Sequence, residues 1–110
     1  MLLVGFRNQG VFMLLVSEGI QFIKNTIPEP ARYEQMAEEC VELAQALLKK
    51  ARKLRNENFT PKTMSEIDDS IDEEFNDVML CAKVLDLNQS NSMFLEKLKR
   101  WVERNKHANN

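Results

Sequence analysis

The sequence contains little glycine, proline, cysteine or histidine. Three glycines and three prolines among 110 residues are too few for the many tight turns of a β-sandwich or β-barrel, so the composition favours helices. The two cysteines, Cys40 and Cys81, have no neighbouring cysteine or histidine and do not form a zinc-binding motif. We expect both to be reduced thiols in the core. The single histidine, His107, excludes a histidine-rich transition-metal site.

The sequence also has no excess of one charge and no long apolar run. Fifteen Lys and Arg against seventeen Asp and Glu give a net charge of −2, so no overall positive charge favours binding to nucleic acid or anionic lipid. The apolar segments 1–4 and 11–16 are separated by polar residues, and neither is long enough to span a bilayer or typical of a secretory signal. We therefore expect a single-domain cytoplasmic protein that binds neither nucleic acid nor membranes.

Apolar residues that recur every three or four positions predict a series of amphipathic helices. Ser17 is expected to cap a short first helix that ends before Pro28, and a long second helix follows from about residue 31 to 56. A turn is predicted at residues 58–61. Thr63, followed three residues later by Glu66, predicts a capping box for a third helix that ends near residue 86. Ser92 is expected to cap a final helix.

These elements predict an all-α fold: an antiparallel helical hairpin with flanking short helices, of the four-helix-bundle type and completed by oligomerisation. Residues 1–16 are predicted to be an apolar N-terminal extension, residues 17–106 a single all-α domain and residues 107–110 a polar tail. A chain of this size buries a limited core, and the hairpin would leave apolar surface uncovered. We therefore expect a homo-oligomer, either a dimer or a tetramer.

Acidic residues on the second and third predicted helices form two motifs. Glu39 and Glu42, with Glu38 beside them, share one helix face, and Glu74 and Asp77 share another. In an antiparallel hairpin, facing residues are equally distant from the turn. The midpoint of Glu42 and Glu74 is residue 58, inside the predicted turn, so the two faces should meet.

A rival acidic pair exists earlier on the third helix. Glu66 and Asp69 also have a spacing of three, but the midpoint of Glu42 and Glu66 is residue 54, which lies within the predicted second helix. The later pair is therefore preferred. Four carboxylates without histidine or thiolate form an all-oxygen site suited to Mg²⁺, with Mn²⁺ as a substitute.

Polar residues near the acidic motifs are candidates for substrate binding. Lys49 and Gln35 each lie seven residues from Glu42, on its helix face, where they would contact a phosphate or donate a hydrogen bond to substrate. On the final helix, Lys97, Arg100 and Arg104 form a basic stripe that either binds phosphates or is ordinary surface.

Residues 38–42, EECVE, followed by residues 73–78, EEFNDV, resemble the two-part signature of the MazG-like all-α nucleoside triphosphate pyrophosphohydrolases. The resemblance extends from about residue 33 to 104, and the connection between the motifs is longer than usual in that family. It implies Mg²⁺-dependent hydrolysis of (deoxy)nucleoside triphosphates to monophosphate and pyrophosphate. By similarity, Glu39, Glu42, Glu74 and Asp77 would hold the metal, and Glu38 would support the site or orient the attacking water.

The alternative is a non-catalytic helical dimeric module of the same fold, with a regulatory or adaptor role. In such a module the acidic faces would be solvated instead of facing each other. Mg²⁺-dependent release of pyrophosphate distinguishes the two hypotheses.

Overall fold

In a computed structural model, the described residues form four α-helices joined by short connections. It describes residues 2–57 and 59–108, with side chains from residue 8 onward. The helices are α1 (Leu2–Thr26), α2 (Glu29–Leu54), α3 (Met64–Val84) and α4 (Asn91–Ala108). No strand occurs in those two ranges, so the prediction of an all-α fold is confirmed. Residues 58, 109 and 110, which belong to the predicted turn and tail, lie outside the described residues.

The core lies mainly between α2 and α3, which pack against each other as an antiparallel hairpin. Ala46 of α2 and Ile67 of α3 are buried, and Ile67 is the most deeply buried of them at 1% exposure. Near the turn, the Lys50 ammonium forms an ion pair with the Asp68 carboxylate across the hairpin. The hairpin therefore has the register that the two acidic motifs predicted.

Two residues after each helix of the hairpin ends, a residue adopts the left-handed backbone conformation. Asn56 has φ 57° and Asp86 has φ 58°. The N–H of Glu57 donates to the carbonyl of Arg52, and the N–H of Leu87 donates to that of Ala82, the long bond of a Schellman motif. Asn and Asp tolerate this conformation better than other residues with a Cβ. α2 and α3 consequently end about two residues earlier than predicted.

The predicted capping box at the start of α3 is confirmed. The Thr63 hydroxyl accepts a hydrogen bond from the N–H of Glu66, and the Glu66 carboxylate accepts one from the N–H of Thr63, both at 3.2 Å. The hydrogen bonds from the backbone and hydroxyl of Thr63 lower the pKa of the Glu66 carboxyl. The third helix therefore begins at a defined residue after an irregular connection.

Replacing Thr63 with alanine should lower the free energy of unfolding by about 1 kcal/mol at neutral pH. Because folding lowers the pKa of the Glu66 carboxyl, its ionised form stabilises the folded state at pH values above its ordinary pKa. This stabilisation is lost as pH falls through the pKa of the folded state. The difference between Thr63→Ala and wild type in urea denaturation should thus shrink in acid. Ser65→Ala, in the same exposed turn, is the control, and an equal loss in that variant would contradict the capping role.

The first helix differs from its prediction. α1 runs without a break from Leu2 to Thr26, so the prediction of a helix beginning at Ser17 was wrong, and the boundary predicted at residue 16 lies inside α1. Gly10 and Gly19 do not end the helix, because an interior glycine costs only about 1 kcal/mol relative to alanine. α1 packs on α3 near its C-terminal end, where the Lys24 ammonium contacts both carboxylate oxygens of Asp86 at 2.8 Å.

The last helix begins one residue before its predicted cap. The Ser90 hydroxyl, not that of Ser92, accepts the N–H of Met93 at 3.4 Å. α4 continues to Ala108, so the boundary predicted at residue 107 lies inside α4. With 25 and 18 residues, α1 and α4 are not the short flanking helices that were predicted.

α4 buries none of its residues, so the four helices of one chain do not form a closed bundle. The radius of gyration is 18.7 Å, whereas a compact domain of this length would have about 13 Å. Among the helices described, none combines the length and the apolar character needed to cross a bilayer.

Candidate metal centre

Four carboxylates converge across the α2–α3 hairpin. Glu39 and Glu42 on α2 and Glu74 and Asp77 on α3 each offer one oxygen, and these four oxygens lie within 4.8 Å of one another. The spacing of three within each pair places both side chains on the face toward the partner helix. We call these four residues the acidic cluster.

The acidic cluster is partly withdrawn from solvent. Glu39, Glu74 and Asp77 are half-buried, and Glu42 is exposed. One oxygen of Glu39 and one of Glu74, Oε2 in both, are buried and have no hydrogen-bond partner within the described chain. A carboxylate oxygen removed from water without a partner is unfavourable, and a bound cation would supply the missing interaction.

The charges of the acidic cluster repel one another, and the effect is visible at Glu39. The Gln35 amide donates a hydrogen bond to Glu39 Oε1 at 2.7 Å, which lowers the pKa of the Glu39 carboxyl. Desolvation and the nearby charges of Glu42 and Asp77 raise that pKa, and their combined effect is larger. Glu39 therefore has a pKa above its ordinary value, as expected for a carboxylate held close to others.

The donor set fits a hard divalent cation. All four candidate ligands are carboxylate oxygens, which Mg²⁺ and Mn²⁺ prefer. The half-buried thiol of Cys81 is a soft donor that lines a cavity together with Glu39 and Asp77. Desolvation, with the charges of Glu39 and Asp77, raises the pKa of Cys81, so this thiol stays protonated at neutral pH. Cys40 is exposed, so the prediction that both cysteines are core residues was wrong for it.

A cavity opens on each side of the acidic cluster. The apolar cavity, about 300 Å³, lies between α1, α2 and α3 and reaches Glu39 and Asp77. Its aliphatic walls include Ile23, Ile27, Leu80 and Val84, and its polar lining also includes Arg32 and Gln35. The polar cavity, about 350 Å³, lies toward the turn of the hairpin and reaches Glu42 and Glu74; its polar lining also includes Gln45, Lys49, Lys62 and Ser70.

The other candidates from the sequence lie in different places. Gln35 contacts Glu39 and so supports the acidic cluster directly. Lys49 lines the polar cavity. Glu38 is exposed and is not among the four converging carboxylates. The rival acidic pair is separate from the cluster: neither Glu66, which caps α3, nor Asp69 is among the four converging carboxylates.

The basic stripe of α4 is not brought to the acidic cluster within one chain. Lys97, Arg100 and Arg104 line neither the apolar nor the polar cavity. Arg100 instead forms an ion pair with Glu96 one turn earlier on the same helix.

Lys62, which no sequence motif indicated as a site residue, lies in the lining of the polar cavity. Lys62 lies in the connection before α3, where helical periodicity gives no information on side-chain direction. The one signal available was its position immediately before the capping residue Thr63.

The chain was compared with protein-family models, curated proteins and solved structures, and none matched. Its function is therefore inferred from the acidic cluster, the two cavities and the resemblance carried by the two acidic motifs.

Proposed function

We propose that this protein hydrolyses (deoxy)nucleoside triphosphates to monophosphate and pyrophosphate in a Mg²⁺-dependent reaction, as MazG-like enzymes do. The observation that carries the proposal is the convergence of Glu39, Glu42, Glu74 and Asp77 within 4.8 Å, with unpartnered oxygens on Glu39 and Glu74. A non-catalytic regulatory module would have no need to bring like charges together. The facing carboxylates therefore favour the enzyme over that alternative.

Each residue of the site has a proposed role. The acidic cluster would hold Mg²⁺, or Mn²⁺ in its place, and the bound ion would neutralise phosphate charge and polarise a phosphoryl oxygen. Gln35 orients Glu39 through its 2.7 Å hydrogen bond. Glu38, exposed and adjacent to Glu39, remains the proposed residue for orienting the attacking water.

The test is a screen of the common NTPs and dNTPs with Mg²⁺ and with chelator, in which both products are identified. We expect pyrophosphate and monophosphate to appear in equal amounts, with Mg²⁺ only. Release of orthophosphate would indicate cleavage at a different bond, and turnover in chelator would contradict the role of the metal.

We also propose that a second copy of the chain covers the exposed apolar faces of α1 and α4 and completes a helical bundle. On α4, Phe94, Leu98 and Trp101 lie along one face and are 44% to 63% exposed. On α1, a run that includes Phe12 and Leu15 is equally exposed. Contiguous apolar surface on two long helices is unusual for a monomer.

Replacing Trp101 with glutamate should weaken self-association at least about tenfold, because a large apolar side chain would be lost from the interface and a charge placed there. Light scattering over a micromolar concentration series measures the effect. Lys99→Glu, about half a turn away on α4, is the control and should leave association unchanged. A wild-type protein that is monomeric and fully folded would contradict the proposal.

A further inference from the structure

The polar cavity contains positive charge beside the acidic cluster. Its lining includes Glu42 and Glu74, which belong to the cluster, and two lysines, Lys49 from α2 and Lys62 from the connection to α3. A cavity lined only to surround a cation would not need lysines. The two ammonium groups indicate a second, anionic occupant next to the metal centre.

Two other lysines of α2, Lys50 and Lys53, already have partners among the described residues, whereas the Lys49 and Lys62 ammonium groups do not. Lys50 forms an ion pair with Asp68, and the Lys53 ammonium donates to the carbonyl of Lys62 at 2.7 Å. Over residues 8–57 and 59–108, neither Lys49 nor Lys62 has a carboxylate within ion-pair distance. Their charges are therefore available to a ligand.

The backbone at Lys62 is held in place on both sides. The bond from Lys53 fixes its carbonyl to α2, and the capping box of Thr63 and Glu66 fixes the next residue to α3. Lys62 is thus presented at the cavity by a defined local structure, although it lies in an irregular connection. This arrangement depends on the long link between the two acidic motifs.

We infer that Lys49 and Lys62 bind the β- and γ-phosphates of the substrate in the polar cavity, which then holds the pyrophosphate product. The inference rests on the proposed function, in which the bond that breaks lies at the acidic cluster. The two parts of the substrate must then lie on opposite sides of that cluster. Arg32, the basic side chain that lines the apolar cavity, donates through Nε to the carbonyl of Ile27 at 3.0 Å, whereas the polar cavity provides two ammonium groups for the distal phosphates.

The experiment compares wild type with Lys49→Gln and Lys62→Gln, using a nucleoside triphosphate that the wild type accepts. KM, kcat and the inhibition constants of inorganic pyrophosphate and of the matching monophosphate are measured with Mg²⁺. Each substitution should raise KM and the inhibition constant of pyrophosphate about tenfold, since each removes one charge-assisted contact. The inhibition constant of the monophosphate, which has no distal phosphates, should not change.

Two further variants distinguish the loss of positive charge in the polar cavity from a general effect of lysine substitution. Lys62→Arg keeps the positive charge and should restore most of the affinity for pyrophosphate. Lys83→Gln removes an exposed lysine of α3 that lines neither cavity and should have no effect.

The outcomes distinguish the inference from the proposed function. A wild type without Mg²⁺-dependent pyrophosphate release would overturn both. An active wild type whose lysine variants keep normal pyrophosphate inhibition would overturn the inference alone, and so would an equal weakening of monophosphate and pyrophosphate inhibition.

Discussion

Glu39→Gln and Asp77→Asn should each reduce pyrophosphate release at least about a hundredfold while the protein stays folded. Each substitution keeps the size of the side chain and removes one anionic oxygen from the acidic cluster, which weakens the hold on Mg²⁺. A metal ion contributes several kcal/mol of charge stabilisation in the transition state, and about 2.7 kcal/mol corresponds to a hundredfold in rate. Steady-state rates at saturating substrate and a series of Mg²⁺ concentrations measure the loss, and circular dichroism confirms the helices.

The rival acidic pair provides the matched controls. Asp69→Asn makes the same chemical change on the same helix but outside the acidic cluster, so its rate should stay within about twofold of wild type. Glu66→Gln perturbs the cap of α3 and should affect stability more than rate. Normal turnover in both Glu39→Gln and Asp77→Asn would contradict the proposal that the acidic cluster holds the Mg²⁺ needed for the reaction.

The register of the hairpin was predictable because a helix couples sequence distance to axial distance. Glu42 and Glu74 lie sixteen residues on either side of residue 58, and a constant rise of 1.5 Å per residue brings them level. The same regularity explains why Thr63 and Glu66 were recognised as a capping box. Where backbone geometry is repetitive, spacing alone determines which side chains meet.

The remaining features depend on contacts that spacing does not encode. Ser17 has the chemistry of a cap, yet α1 passes through it, because a single serine lowers helix propensity only modestly and does not stop a helix. Lys62 lies in a connection whose path is set by a bond from Lys53. Trp101 is exposed on the apolar face of α4, and the sequence spacing that places it there does not reveal what covers that face.

Mg²⁺ should stabilise the wild-type protein and have little effect on Glu39→Gln. A ligand that binds only the folded state adds about 2.7 kcal/mol at a hundred times its dissociation constant. The four carboxylates converge only when α2 and α3 are packed, so the unfolded chain has no equivalent site. Thermal melting in chelator and in millimolar Mg²⁺ measures the difference, and Glu34→Gln, an exposed carboxylate of α2 outside the cluster, is the control.

Without metal, the order of stability should reverse, and Glu39→Gln should melt a few degrees above wild type at neutral pH. The amide removes one negative charge from the cluster and retains an acceptor for the hydrogen bond from Gln35. Because folding raises the pKa of the Glu39 carboxyl above its ordinary value of 4.5, ionisation of Glu39 opposes folding. The extra stability of Glu39→Gln should therefore be absent below pH 4.5, the ordinary pKa. It should grow as pH rises from there to the folded-state pKa of Glu39, and stay constant at higher pH.

These melting curves test the convergence of the carboxylates independently of any turnover. If Glu39, Glu42 and Asp77 repel one another as their geometry indicates, the chelated wild type must be the less stable protein at pH 7. A wild type indifferent to Mg²⁺, together with a Glu39→Gln variant that melts lower in chelator, would mean that the acidic faces are solvated and apart. That result would favour the non-catalytic helical module over the pyrophosphohydrolase.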